Sequence, residues 1–251
     1  MGNTSPVVTS VSISPSSGVT TSTSLICSAT ASDDDGGTPT LVYAWTNATE
    51  GTSLGTGSSV TLSTSTSSPD DSIRCTATAT DSDGGTDSGA ASVTVGNTSP
   101  VVTSVSISPS SGVDTSTTLS CSATSSDDDG DTPTITYAWT NTSAGTSLGS
   151  SASVTLSSST SSPGDTVRCT ATATDPEGDT GTGTATVTIA NTAPEVTSVN
   201  ISPSTGVDTY TSLTCTATAA DDDGGTPTLT YVWTNDDSGD TLGTGTTVDL
   251  D

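Results

Sequence analysis

Histidine, lysine and phenylalanine are missing altogether from these 251 residues, and only Arg74 and Arg168 carry positive charge. Without histidine or lysine, no serine or threonine can be activated in a familiar nucleophilic arrangement. Against the two arginines stand 28 acidic residues, a formal charge of −26. Such a polyanion repels nucleic acid and acidic lipid headgroups, so neither is expected as a partner. It suits salty or calcium-bearing surroundings, where cations screen its self-repulsion. No apolar run approaches the roughly 20 residues of a membrane helix. Met1-Gly2 carries no signal-peptide pattern, so the residues at hand are expected to be a mature segment or to have their export signalled elsewhere. Low hydrophobicity with high net charge is the composition of disordered chains. The ordered alternation and the Cys and Trp placement below argue for a folded chain instead.

What is present is a long repeat. Asn3-Thr4-Ser5-Pro6 returns as Asn97-Thr98-Ser99-Pro100 and as Asn191-Thr192-Ala193-Pro194, an offset of 94 residues. Residues 3–96 and 97–190 match without a gap at 68 of 94 positions. That period exceeds the roughly 20–50 residues of a solenoid unit and fits an independent domain of about 100 residues. The expected division is 3–96, 97–190 and 191–251, the third repeat lacking its last strands. An enzyme needs one asymmetric pocket, whereas near-copies in tandem multiply a mechanical or binding property.

Short apolar stretches alternate with Thr and Ser and are punctuated by Pro and Gly, the pattern of strands. In the first repeat this predicts strands over 7–13, 24–31, 41–46, 59–62, 72–80 and 90–95, with a short extra one near 52–54. Six or seven strands in about 94 residues is the density of a β-sandwich. Alternation puts Leu25, Cys27, Ala29 and Ala31 on one face. Leu41, Tyr43 and Trp45 share another, and Ile73, Cys75, Ala77 and Ala79 a third. Cys27 and Cys75 therefore point inward beside the Trp. Cys121 and Cys169 repeat their separation of 48 residues. Bridges Cys27–Cys75 and Cys121–Cys169 are the expected pairing, with Cys215 left without its partner. Free buried thiols or a metal pair are the alternative, though two Cys alone make a poor zinc site.

The Cys27…Trp45…Cys75 arrangement, copied as Cys121…Trp139…Cys169, resembles the immunoglobulin-like sandwich. The stretch Arg74-Cys75-Thr76-Ala77-Thr78-Ala79-Thr80-Asp81-Ser82-Asp83-Gly84 is similar to the penultimate strand and turn of polycystic-kidney-disease-type (PKD) domains. Tyr43-Ala44-Trp45 is similar to that family's Trp strand. The chain departs in having Thr46-Asn47 where the family has Gly-Asp-Gly, and in its cysteine pairing. The resemblance implies an all-β chain of tandem Ig-like or PKD-like sandwiches, strung as beads in an elongated rod. It further implies surface proteins of bacteria or archaea, where such modules form arrays.

Acidic clusters recur at the turns: Asp33-Asp34-Asp35-Gly36, Asp70-Asp71 and Asp81-Ser82-Asp83-Gly84 in the first repeat. Their counterparts are Asp127-Asp128-Asp129-Gly130-Asp131, Asp165 and Asp175-Pro176-Glu177-Gly178-Asp179, then Asp221-Asp222-Asp223-Gly224. Calcium takes six to eight oxygens on loops that turn sharply. In an Ig-like sandwich the loop after the second strand and the last hairpin share one end. Asp127–Asp129 and Asp175–Asp179 are thus expected against the Asn97 linker, with the Asp70-Asp71 loop approaching from the other side. The plainer reading is solvated turn residues, for which Asp and Gly are ordinary choices. A glycosidase-type carboxylate pair could be drawn from these clusters, but they sit at turns in every copy, so no enzyme is expected.

Asn3, Asn47, Asn97, Asn141 and Asn200 each open an N-x-Ser/Thr acceptor pattern. The function these features favour is a non-enzymatic, disulfide-stapled stalk, filament or spacer, extracellular or at the cell surface, with calcium at its junctions. Its expected partners are further copies of the repeat in a longer chain or filament, then cell-surface proteins or glycans. The alternatives are an adhesive carbohydrate- or protein-binding module and accessory domains of a secreted hydrolase. An open third repeat would also leave strand edges able to accept a neighbour's strand.

Overall fold

Alternation of Ala, Cys, Leu and Val with Thr and Ser gives each segment one face to bury and one to solvate, and no stretch has helical periodicity. The computed structural model describes residues 2–251 accordingly: among them there is no helix and there are nineteen strands. The first repeat forms β1 (Val7–Ser14), β2 (Ser24–Ser32), β3 (Thr40–Asn47), β4 (Thr52–Thr56), β5 (Ser59–Thr61), β6 (Ser72–Thr80) and β7 (Thr86–Thr94). They make two antiparallel sheets, β1-β2-β5 and β4-β3-β6-β7. The sheets enclose one core of Leu25, Cys27, Trp45, Ile73, Cys75, Val93 and Val95. This is an immunoglobulin-like sandwich.

The expected strands are all present, the short β4 included, but the last begins at Thr86 rather than Ala90. Thr86–Gly89 shows no apolar alternation, so its strand character comes from the hairpin with β6, where Thr80 faces Thr86. Gly89 is part of that closure. A β-carbon there would stand 2.9 Å from Val8 Cγ1, so glycine lets β1 lie against β7. Asp87 then accepts the Val8 backbone N–H at 2.7 Å, beside the bulge in β1.

Residues 97–190 build the same pair of sheets. They contain β8 (Val101–Ser108), β9 (Thr118–Ser126), β10 (Thr134–Asn141), β11 (Thr146–Gly149), β12 (Ser153–Thr155), β13 (Thr166–Thr174) and β14 (Thr180–Thr188). Their orders are β12-β9-β8 and β11-β10-β13-β14. Disulfides Cys27–Cys75 and Cys121–Cys169 staple sheet to sheet, each with Cα atoms 6.4 Å apart. Each tryptophan satisfies its indole N–H across a turn: Trp45 on the Gly57 carbonyl, Trp139 on Ser151 and Trp233 on Gly245, all at 3.0 Å.

Residues 191–251 contain five strands: β15 (Glu195–Ser202), β16 (Ser212–Ala220), β17 (Val232–Thr234), β18 (Thr241–Thr244) and β19 (Thr247–Asp249). They form a β15-β16-β19 sheet and a β17-β18 pair. β17 has three residues where β3 has eight because Thr40–Tyr43 of β3 pair only with β6, and 191–251 hold no such strand. Val196, Val199 and Ile201 are exposed, and Cys215 is unpaired among the described residues.

The densest packing does not follow the repeat boundaries. One compact unit takes Met1–Thr103 with Thr124–Ile135 and Thr172–Thr182, and the other takes Ser104–Ala123, Thr136–Ala171 and Gly183–Asp251. Each unit thus holds a repeat-to-repeat junction inside itself.

One local difference between the copies carries a prediction. Asp70 is the one non-glycine with positive φ among the described residues, at 67°, and its counterpart Gly164 adopts 86°. The left-handed region costs an L-residue roughly 1–2 kcal/mol, partly offset by the greater unfolded freedom of glycine. Asp70→Gly is therefore expected to stabilise the first repeat by up to about 1 kcal/mol, and Gly164→Asp to destabilise the second. Urea midpoints measured at equal m-values check both signs.

Candidate functional site

Each Asp-Asp-Asp-Gly turn builds itself from its first residue. Asp33, Asp127 and Asp221 each use a carboxylate oxygen to accept the N–H of the third Asp, at 3.0, 2.8 and 3.0 Å. Each also accepts the glycine N–H on its backbone carbonyl. The glycines close the turn at φ of 90°, 88° and 84°, a conformation in which L side chains are strained. This is the Asx-turn expected of Asp before Gly, and it leaves the third Asp free to reach outward.

That third carboxylate is the centre of the junction. Asp129 Oδ2 accepts the Thr98 N–H at 2.6 Å and the Thr98 hydroxyl at 2.7 Å. Its Oδ1 accepts the hydroxyl of Thr21, from the preceding repeat, at 3.0 Å, and Thr21 also reaches the Asp128 carbonyl at 3.2 Å. One carboxylate thus ties together a repeat, its linker and the repeat before it. Asp129 is 6 % exposed and Thr21 1 %. The second junction has the same parts. Asp223 Oδ2 takes the Thr192 N–H and hydroxyl at 2.6 and 2.8 Å, while Thr115 bonds Asp223 Oδ1 at 3.2 Å and the Asp222 carbonyl at 3.0 Å.

The turn glycine supplies a second contact. A β-carbon on Gly130 would lie 2.9 Å from Thr64 Cβ, and one on Gly224 2.9 Å from Ser158 Cβ. Both neighbours belong to the Ser/Thr turn after the fifth strand of the preceding repeat. Glycine is therefore required twice at each junction, for its φ and for close approach. At Gly36 nothing lies within 4 Å.

The second acidic loop grips the linker. Asp175, 5 % exposed, accepts the N–H groups of Gly178 and Asp179 at 2.7 Å each and the Asn97 amide at 2.9 Å. Asp179 accepts the same amide at 3.0 Å. Asp81 takes the Asn3 amide at 3.1 Å with the N–H groups of Asp83 and Gly85 in the corresponding turn. Burial works against the charge on Asp175, but the Asn97 amide and the backbone N–H groups outweigh it and hold its carboxyl below the usual range. Asp127 and Glu177 shift the other way. Desolvation raises both, and each is raised further by Asp129, Asp131 and Asp175. Two buried oxygens here have no hydrogen-bond partner, Asn97 Oδ1 and Asp127 Oδ2.

Among the described residues no three His, Cys, Asp or Glu side chains close around a common point as a preformed metal cage. The turns Asp33–Asp35, Asp127–Asp129 and Asp221–Asp223 lie at the linkers, as the topology predicts, and Asp175 and Asp179 join the second of them. Glu177, Asp128 and Asp222 are exposed. In the loop expected from the other side, Asp71 does not face the junction. Asp71 is buried and turns into its own repeat, accepting the Asn47 amide at 2.6 Å and the Ser68 N–H at 2.8 Å. Asp165 does the same with Asn141 and Ser162, and the Asn141 amide together with that N–H keeps its carboxyl low. What comes across from the preceding repeat is the hydroxyl of Thr21, then that of Thr115, with Thr64 and Ser158 seated against the turn glycines.

Asn47 and Asn141 are completely buried. Besides donating to Asp71 and Asp165, each accepts two backbone N–H groups on its Oδ1. Their acceptor patterns are structural and inaccessible to glycosylation. Asn3 and Asn200 are exposed, and the Asn97 amide is committed to Asp175 and Asp179.

No protein-family model matches this sequence, and no curated protein matches it. Solved structures align with it at low similarity. Fibronectin(III)-like modules of Clostridium thermocellum CbhA align over 72 % of this chain and 94 % of theirs at 15 % identity, TM-score 0.27. A 1.5-MDa bacterial ice-binding adhesin aligns over 99 % and 88 % at 17 % identity, TM-score 0.35. A run of titin domains aligns over 98 % and 88 % at 15 % identity, TM-score 0.31.

Proposed function

We propose that this chain is a run of structural modules of a secreted or cell-surface protein, in which each acidic turn locks its module to the one before. One observation carries this reading: the same carboxylate, linker threonine, hydroxyl donor and seated glycine recur at both junctions with the same partners. A chain whose shared feature is the joint between copies is suited to holding distance and orientation. The two disulfides fit an oxidising exterior, and the acidic surface keeps such a chain soluble.

Calcium at the first junction extends the proposal. Its donor set is oxygen only, as calcium requires, and Asn97 Oδ1 and Asp127 Oδ2 are buried acceptors that no protein donor satisfies. Asp129, Asp131 and Asp175 repel the charge on both Asp127 and Glu177, and a divalent cation would relieve that repulsion. Nuclear magnetic resonance on the aligned chain tests both parts. Residues 7–94 and 101–188 are expected to share one alignment tensor in the wild type and to take different ones in Thr21→Val. Equal behaviour of the two proteins would refute the lock. In a second arm, calcium is expected to raise the melting temperature above that in chelator at matched ionic strength. Identical curves would leave the junction held by hydrogen bonds alone.

A further inference from the structure

The two basic residues of the chain occupy one place in the fold. Arg74 lies on β6 and Arg168 on β13, the same strand of the four-stranded sheet in each repeat. On β6 the buried Ile73, Cys75 and Ala77 alternate with Arg74 and Thr76, so the arginine points out of the sandwich. Its neighbours on that outer face are Ser72 and Thr76 along the strand, with Thr46 and Ser92 directly across on β3 and β7. In the second repeat the corresponding residues are Thr166, Thr170, Thr140 and Thr186. Both arginines are exposed, and neither forms an ion pair or hydrogen bond among the described residues, in a chain with 28 acids. No outward position of β3, β6, β7, β10, β13 or β14 is acidic. The acids closest in sequence, Asp71 and Asp165, are turned into their own repeats on Asn47 and Asn141.

The hydroxyls around these arginines are unengaged as well. On the opposite sheet, outer hydroxyls satisfy one another across strands: Thr9 with Thr30 at 2.6 Å, Ser24 with Thr61 at 2.9 Å and Thr118 with Thr155 at 2.9 Å. The hydroxyls named beside Arg74 and Arg168 have no such partner among the described residues. Each repeat thus has one hydroxyl face closed on itself and another whose donors stand free around a single cation.

We propose that this face binds an extended polysaccharide in which acidic sugars alternate with neutral ones, a uronate carboxylate seated on each arginine. A guanidinium takes a carboxylate through two parallel N–H bonds. The flanking Ser and Thr hydroxyls both donate to and accept from sugar hydroxyls. Outward side chains recur about every 6.7 Å along a strand and about 4.8 Å between strands. These donors therefore form a shallow grid rather than a pocket, which suits a chain better than a compact molecule. One cation per face also suits sparse charge. A phosphate backbone, with a charge roughly every 3.4 Å per strand, would bring more charge than one arginine offsets and would meet the acidic turns. The site lies apart from the joints and adds a ligand to the stalk.

Nuclear magnetic resonance titration of the intact chain tests it, with a hyaluronan octasaccharide, which alternates glucuronate with a neutral amino sugar, at about 0.15 M NaCl. Amide shifts are expected on β3, β6 and β7 and on β10, β13 and β14, with a dissociation constant of about 1 mM. The β1-β2-β5 sheet should stay unchanged. Arg74→Gln should weaken binding at the first face by about tenfold or more, the loss for hydrogen bonds to a charged group, and leave the Arg168 face as it was. The octasaccharide with its carboxylates methyl-esterified should bind neither face. Absence of shifts in the parent up to about 10 mM ligand, shifts that survive Arg74→Gln, or equal binding of the ester refutes the proposal. Tighter binding of polyglutamate or polyphosphate at the same amides also refutes it, because dense charge would then be what the face selects. Thr21→Val should bind as the parent does, so loss of the lock and loss of this site are read separately.

Discussion

Replacing Cys27 and Cys75 together by alanine is expected to cost the first repeat about 4 kcal/mol, the chain-entropy value for a loop of this length. The bridge closes 48 residues and joins β2 to β6, strands of opposite sheets. Little else could compensate. Around Trp45 the inward residues of β6 are Ile73 and then Ala77 and Ala79, whose methyl groups bury little surface. A domain of this size has a margin of roughly 5–15 kcal/mol, so the loss should leave the repeat folded but marginal. Three repeats need not unfold as one, and amide exchange on β6 therefore reports the effect better than a global melt. Protection of the Cys75–Ala79 amides should fall by about three powers of ten, while that of Cys169–Ala173 holds. A fall of less than tenfold would show that sheet packing, not the bridge, carries the stability.

The second large effect is expected at Asp129. Alanine there removes the acceptor for three hydrogen bonds of 2.6–3.0 Å, leaving buried Thr21 with only the Asp128 carbonyl. Bonds to a charged group are worth roughly 1.5–3 kcal/mol each in mutational terms. Relief of repulsion with neighbouring acids acts in the opposite direction and is partly screened by solvent. A net cost of about 3 kcal/mol at the junction follows. The chain contains its own control in Asp35, which is exposed and makes only the linker half of the contact. Asp35→Ala should cost less than about 1 kcal/mol by the same measure. Chemical denaturation of both variants, read at amides of β9 and β2, compares them. Equal losses would mean that Thr21 contributes nothing to the joint.

Much of the molecule is legible in its sequence, for definite reasons. The 94-residue identity marks the copies without reference to structure. A period of two on Leu25–Ala31 and Ile73–Ala79 decides which side of each strand is inward, and therefore that Cys27 meets Cys75 beside Trp45. Asp and Gly at the turns announce the loops. These are local signals, set by backbone geometry and by which side chains leave water.

Other features depend on which distant atoms meet. Thr86–Gly89 has no strand pattern of its own and becomes β7 because β6 offers it a ladder and β1 presses on Gly89. Asn47 reads as a surface acceptor site and is instead buried on Asp71. Nothing local separates Asp71, which folds inward, from Asp129, which reaches its neighbour. Thr21 is one threonine among many, and only the packing of one repeat on the next makes its hydroxyl the donor of the joint. The sequence by itself determined the repeats, the strands and the staples, because periodicity and spacing act within a segment. Tertiary structure decided the joint, because a hydrogen bond between repeats depends on position in space, which composition and period do not encode.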